Sequence, residues 1–166
     1  MKIPSSNSIK LRRSNASSIA EFGPALWLLL FCVFLPLLLV LAMACQCGAL
    51  YLLNNSQSQE ASISRYKDAL DPNGAVIKRI PEAWMKGAGK FANLAALPTT
   101  VVTYKLGPPD ANKERDHFVL VTTTASINPI IRVPFPNKVS GLNAPSKFSF
   151  SSERLVENKD YAPPTP

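Results

Sequence analysis

Histidine is nearly absent from this chain. His117 is the single one, set beside Asp116 at the head of a β-rich stretch, where it reads as a surface residue; it weighs against a His-based metal site and a Ser-His-Asp centre. No Gly-rich phosphate loop is present, and no paired acids stand in apolar surroundings. Catalytic chemistry therefore has little to work with, and the chain reads as a non-enzyme without a cofactor. Cysteine is scarce too. Cys32 lies in an apolar run, and Cys45 and Cys47 lie near its outer end. A C-x-C pair on one helix points its thiols to different faces and does not easily close on itself. These thiols are expected to pack against lipid or protein; an odd count leaves room for a disulfide between subunits or a palmitoylated Cys.

The absence with the largest consequence is that of charge. Although the chain carries a net charge of +7, no charged residue lies between Glu21 and Glu60. Within that interval, EFGPALWLLLFCVFLPLLLVLAMACQCGALYLL reads as a membrane span. As a helix, residues 25 to 45 alone cover roughly 31 Å, against a hydrocarbon thickness of about 30 Å. The apolar run is longer than one crossing needs, so tilt, or a protruding part packed on the extramembrane domain, is expected to absorb the excess. Gln46, Tyr51 and the Asn54-Asn55 pair carry the helix onward towards solvent. Elsewhere, single basic residues are scattered among acids with no nucleic-acid motif, which argues against nucleic acid as a partner.

Residues 1 to 18, MKIPSSNSIKLRRSNASS, are polar and positive and predict a disordered basic leader. Lys2, Lys10, Arg12 and Arg13 precede the span, and the first basic residue after it is Arg65. The positive-inside tendency then puts the N-terminus in the cytoplasm and the bulk of the chain outside. A cleaved secretory signal is the rival, since Ala42-Met43-Ala44 offers an A-x-A pattern, but the apolar run resumes beyond it with GALYLL. Cys45 after LAMA as a lipoprotein site, and Arg12-Arg13 as a twin-arginine signal, fit less well.

Glu21 opens the apolar run. Ser18-Ile19-Ala20-Glu21 has capping-box spacing, and a carboxylate in the first turn complements the helix dipole. Alternatively the helix starts with Gly23 as N-cap and Pro24 as its first residue, leaving Glu21 outside. Glu21-Phe22 heading an apolar helix, behind a basic leader with small residues and ahead of Pro36 in a Leu/Phe run, resembles the TadE/TadG-like family of tight-adherence (Flp-type IV) pilus proteins. The far end is similar: HFVLVTTTASINPIIRVPF with its proline-bounded break, then a strand of small hydroxyl residues reaching Arg154-Leu155-Val156-Glu157. Members of that family resemble type IV prepilins, whose basic leader is removed by a membrane aspartyl peptidase. The resemblance implies a cut between Ala16 and Ser17, with Ala16, Ser17, Glu21 and Phe22 serving processing and assembly. It implies a pilus or secretion-platform membrane protein, other pilin-like subunits and a prepilin peptidase as partners, besides membrane lipid. It also implies residence in a bacterial cytoplasmic membrane or a surface pilus.

The remainder predicts an α+β fold. A membrane helix over 19 to 53 is followed by an extracytoplasmic, pilin-like domain over 54 to 161 and a disordered tail over 162 to 166. Residues 54 to 70 continue the helix or follow it as a second piece, and Asp71-Pro72-Asn73-Gly74 supplies a turn. Ile80, Trp84, Ala88, Phe91 and Ala95 recur every three or four residues, predicting an amphipathic helix over 81 to 97 with Trp84 and Phe91 buried. Strands are expected at 99 to 106, 118 to 127, 130 to 135 and within 146 to 154, joined after the first by the charged loop GPPDANKERD. Three or four of them would form an antiparallel sheet covered by the helix 81 to 97. From the Lys/Arg asymmetry, protease added to intact spheroplasts should digest residues 54 to 166, and full protection of that region would refute the orientation.

Overall fold

The computed structural model describes residues 22–109, 115–130, 132, 136–141, 143–158 and 161–163. It divides into two compact units, Met1–Leu41 and Ala42–Pro166. A helix running Phe22–Ile63 is long and apolar enough, by length and composition, to cross a membrane. Leu, Ala and Met, all strong helix formers, dominate it. Helix α1, Leu35–Ile63, is preceded by a π-helical turn, Leu30–Phe34, in which the Leu35 N–H donates to the Leu30 carbonyl. Pro36 explains the widening: it has no N–H, and its ring collides with the carbonyl four residues back unless the turn opens. The same device recurs at Ala75–Arg79, where the Ile80 N–H donates to Ala75 O immediately before Pro81.

The second unit is a three-stranded antiparallel sheet in the order β1-β2-β3, built from β1 (Thr99–Pro109), β2 (Arg115–Ile127) and β3 (Ser146–Leu155). Alternation sets its faces: Val119, Val121, Thr123, Ala125 and Ile127 of β2 are all buried. On the opposite face Thr122 meets Ser151 (2.8 Å) and Thr124 meets Ser149 (3.0 Å) through their hydroxyls. Asp71-Pro72-Asn73-Gly74 turns as its residues require, with Asp71 Oδ1 accepting from the Asn73 N–H at 2.9 Å. The first two strands run further into the charged connection than the residue pattern suggests, reaching Pro109 and starting at Arg115. Gly107 permits this, since a Cβ there would stand 2.8 Å from the Phe118 ring.

The α+β class and the antiparallel sheet agree with the sequence; the element covering the sheet does not. The face is covered by α1, which contributes Leu50, Leu53, Asn54, Gln57, Ser58 and Ala61 to the interior. The expected helix over 81 to 97 is broken. A short α2 (Tyr66–Ala69) and the π turn lead to α3, Ile80–Lys86, which stops at Gly87; a 3-10 segment, Ala88–Ala92, follows, and Asn93 adopts a left-handed conformation at φ 47°. Gly87 and Gly89 each disfavour helix by about 1 kcal/mol relative to Ala. At Gly89 tertiary packing decides the matter, because a Cβ would sit 2.6 Å from the Trp84 ring. Trp84 is consequently half-buried against Leu50, Leu53, Ala125 and Ile127. Phe91, on the tighter 3-10 turn, loses its register with Trp84 and is 79% exposed, contrary to the sequence expectation. Of the expected strand at 130 to 135, only Ile130 and Arg132 fall among the described residues, and neither is in a strand. The order of burial gives a direct test. Leu53→Ala should lower unfolding stability by about 2 to 5 kcal/mol, whereas Phe91→Ala should change it by no more than about 0.5 kcal/mol, measured by urea titration of the detergent-solubilised chain.

Candidate functional site

The residues with the densest polar geometry lie where α1 meets the sheet. Buried positions on α1 recur at 46, 50, 53, 54, 57, 58, 61 and 62, one continuous helical face. More than half of them are amides or hydroxyls. Asn54 Nδ2 lies within hydrogen-bond distance of Val121 O (2.9 Å), Thr123 Oγ1 (3.0 Å) and Phe150 O (3.1 Å), while its Oδ1 accepts from the Ser152 hydroxyl. Gln57 Nε2 donates to Val76 O (2.6 Å) and Thr100 Oγ1 (2.7 Å), and its Oε1 accepts from Thr123 Oγ1 (2.7 Å). Thr123 thus joins the two amides in one chain of donors and acceptors. Arg154 closes the layer: its Nε donates to Ser58 Oγ (3.1 Å) and its Nη2 to Asn55 Oδ1 (2.7 Å).

This polar layer separates two apolar clusters. On one side lie Ala61, Ala69, Val76, Val102, Val119, Val121 and Val156; on the other, Leu50, Leu53, Ala125 and Ile127. Amides neither carry charge nor exchange protons readily, and the arrangement fastens a helix to a sheet.

Comparison with family models, with curated proteins and with solved structures gives no match. Ala16, Ser17 and Glu21 lie outside the described residues; Phe22 is the first described, helical and exposed. The two sequence motifs on which the family resemblance turns differ in what the structure says of them. Of the C-terminal one, Arg154 clamps α1, and Glu157 donates its N–H to Ser62 O at 3.0 Å.

His117 is half-buried, faces the α1 side of the sheet and has an Nδ1 without a hydrogen-bond partner. Tyr104 likewise buries an unpartnered hydroxyl; burial first, and Tyr66 edge-on at 5.0 Å second, push its pKa up to about 12, so it stays neutral at physiological pH. Cys32 and Cys45 are exposed and Cys47 is half-buried, all as free thiols. Among the described residues, no group of three or more His, Cys, Asp or Glu is placed to hold a metal ion.

The amide layer is what residue-by-residue reading missed. The sequence places Asn54 on the way into solvent, yet it is fully buried. The periodicity from Gln46 to Ser62 is the available signal, hidden because the face it marks is largely polar. Removing the Asn54 amide strands a hydroxyl and leaves buried carbonyls short of a donor. Asn54→Ala should therefore destabilise by about 1 to 3 kcal/mol, and Asn54→Asp by more, since it places a charge among the same carbonyls. Gln59→Ala, at an exposed position, should be near neutral in the same unfolding measurement, and equal effects at 54 and 59 would contradict the layer's role.

Proposed function

We propose that this protein is a membrane-anchored structural or assembly subunit, of the minor pilin-like, TadE-like kind, in a bacterial tight-adherence pilus or related secretion apparatus. The single observation behind this reading is the division of the Phe22–Ile63 helix into two surfaces of opposite character. None of residues 22 to 41 is buried, although the segment is almost wholly apolar; residues 46 to 62 carry the amide face seated on the sheet. An exposed apolar helix of this length belongs in lipid: residues 22 to 45 span about 36 Å, enough for one crossing with some tilt. The family resemblance of both chain ends supplies the pilus assignment. Its partners are membrane lipid, platform membrane proteins, other pilin-like subunits and a prepilin peptidase acting between Ala16 and Ser17. A single-span accessory subunit of another envelope complex would use the same anchor, with its outer domain docking a different partner.

A cleaved secretory signal is a second reading, favoured by one feature: the two compact units divide between Leu41 and Ala42, beside the Ala42-Met43-Ala44 pattern. The N-terminus of protein recovered from its native membrane separates these cases. Ser17 is the expected residue for a processed pilin-like subunit, Met1 for an uncleaved anchor and Cys45 for a removed signal. In the processed form the Ser17 amine of one subunit and Glu21 of another would pair within lipid. Glu21→Gln should then weaken co-purification of partners by about 3 to 5 kcal/mol. A capping role alone would cost only about 0.3 to 1 kcal/mol of helix stability and leave the partners in place.

A further inference from the structure

Several of the most exposed apolar side chains of the second unit lie around one stretch of α1. Gln46 Nε2 donates to Ala92 O (3.3 Å) and Asn128 O (3.2 Å), and the Asn128 N–H donates to Asn93 O (2.9 Å), tying the segments on either side of β1 and β2 to the helix. Ala95 N–H to Ser126 O, at 2.8 Å, extends the same seam. The terminal methyl of Met43 lies 3.3 Å from where a Cβ on Gly141 would stand, so the connection before β3 reaches the helix as well. These segments form a collar at Met43 to Gln46, where the apolar run in the sequence gives way to the amide face. On the collar, Phe91 is 79% exposed, Leu97 70%, Ile130 54% and Val139 39%. Clustered large apolar side chains left in solvent mark a contact surface.

Charge narrows the identity of that contact. No Asp or Glu occurs between Glu82 and Asp110, or between Asp116 and Glu153. The same intervals hold Lys86, Lys90, Arg132, Lys138 and Lys147, all exposed, besides Lys105, which lies along β1 and faces Glu153 at 3.8 Å. The acids gather instead where α1 ends and beyond, at Glu60, Asp68 and Asp71, and around Glu157, whose N–H is bonded to Ser62 O. The second unit is thus cationic and apolar at its Met43 end, whereas both signs mix towards its Ile63 end, where Arg65, Lys67, Lys78 and Arg79 are interspersed with Glu60, Asp68 and Asp71.

We propose that the collar is an interfacial lipid-binding surface. Phe91, Leu97 and Ile130 enter the boundary between headgroups and acyl chains, and the surrounding lysines and Arg132 hold anionic lipid phosphates. Aromatic and aliphatic side chains ringed by cations are what such an interface selects. The surface would fix the angle at which the domain meets the bilayer, which the helix alone leaves free. The proposal rests on the membrane-anchor reading and adds the lipid class and the residues.

Fluorine NMR of the full chain labelled with fluorotryptophan, in nanodiscs containing a nitroxide-bearing phosphatidylcholine, tests both layers separately. Trp27 reports on the apolar helix, and Phe91→Trp or Leu97→Trp reports on the collar. Leu155→Trp, at an exposed position at the end of β3, reports on the distal side. The expected result is a loss of signal at Trp27 and at position 91 or 97, with position 155 retained. The collar loss should deepen when phosphatidylglycerol is included and shrink in the double charge reversal Lys90→Glu, Arg132→Glu. Loss at Trp27 with position 91 as sharp as 155 would overturn the collar proposal while leaving the anchor intact. No loss at Trp27 would overturn the anchor and the collar together. Collar loss indifferent to phosphatidylglycerol and to charge reversal would overturn the anionic-lipid assignment. Position 91 shielded from a soluble paramagnet but not broadened by lipid would assign the surface to a second copy of the chain and overturn the proposal.

Discussion

The fold depends on satisfying two buried amides. Asn54 and Gln57 sit without solvent exposure between α1 and the sheet, and a buried amide without partners costs a few kcal/mol, comparable with much of a small domain's net stability. The cost is met only if the sheet presents Thr123, Thr100, Ser152 and the Val121 and Phe150 carbonyls in one arrangement. Apolar seams tolerate sliding and rotation because the hydrophobic effect has no direction. A seam with amides at its centre does not, since moving α1 by one turn would strand both side chains. Arg154, bonded to Asn55 and Ser58, fixes the same register from β3.

Such directional fastening suits a helix whose two parts differ in character. A helix whose packing face was wholly aliphatic would carry no chemical mark distinguishing its uncovered apolar part from the part that packs on the sheet. Here the mark is local. Residues 22 to 41 are apolar all round, whereas from Gln46 onward one face carries amides and hydroxyls that only the sheet's polar groups satisfy. Pro36 and Pro81 are accommodated by the same geometric means. A π turn stands just ahead of Pro36 and of Pro81, which keeps both helices running where an unadjusted turn would break them.

The far side of the sheet is built differently. Thr122, Thr124, Ser149 and Ser151 pair across strands through their hydroxyls on a face that α1 does not cover. β-branched threonines hold the pleat while keeping that surface wettable. The large apolar side chains of the second unit accordingly gather in the two clusters beside the amide layer or at the margins, and the richest margin is the collar around Met43 and Gln46.

Runs and alternation are the part of this protein that the sequence determined by itself. The apolar stretch, the strands of alternating Val and Thr and the Asp-Pro-Asn-Gly turn are legible because their signals depend on immediate neighbours. The direction in which Asn54 faces is not: an amide on a helix looks the same in solvent and in a core, and only the arrival of Thr123 and Ser152 from distant parts of the chain makes burial favourable. The helix over 81 to 97 fails for a related reason. Its period is helical, but Gly89 gives up its place in the helix to a Trp84 ring that packs on Leu50 and Leu53, so Phe91 is turned outward. Local chemistry settled the long apolar helix, the three strands and the turn; long-range satisfaction of polar groups and packing around one indole decided where the helix over 81 to 97 breaks and which helix covers the sheet.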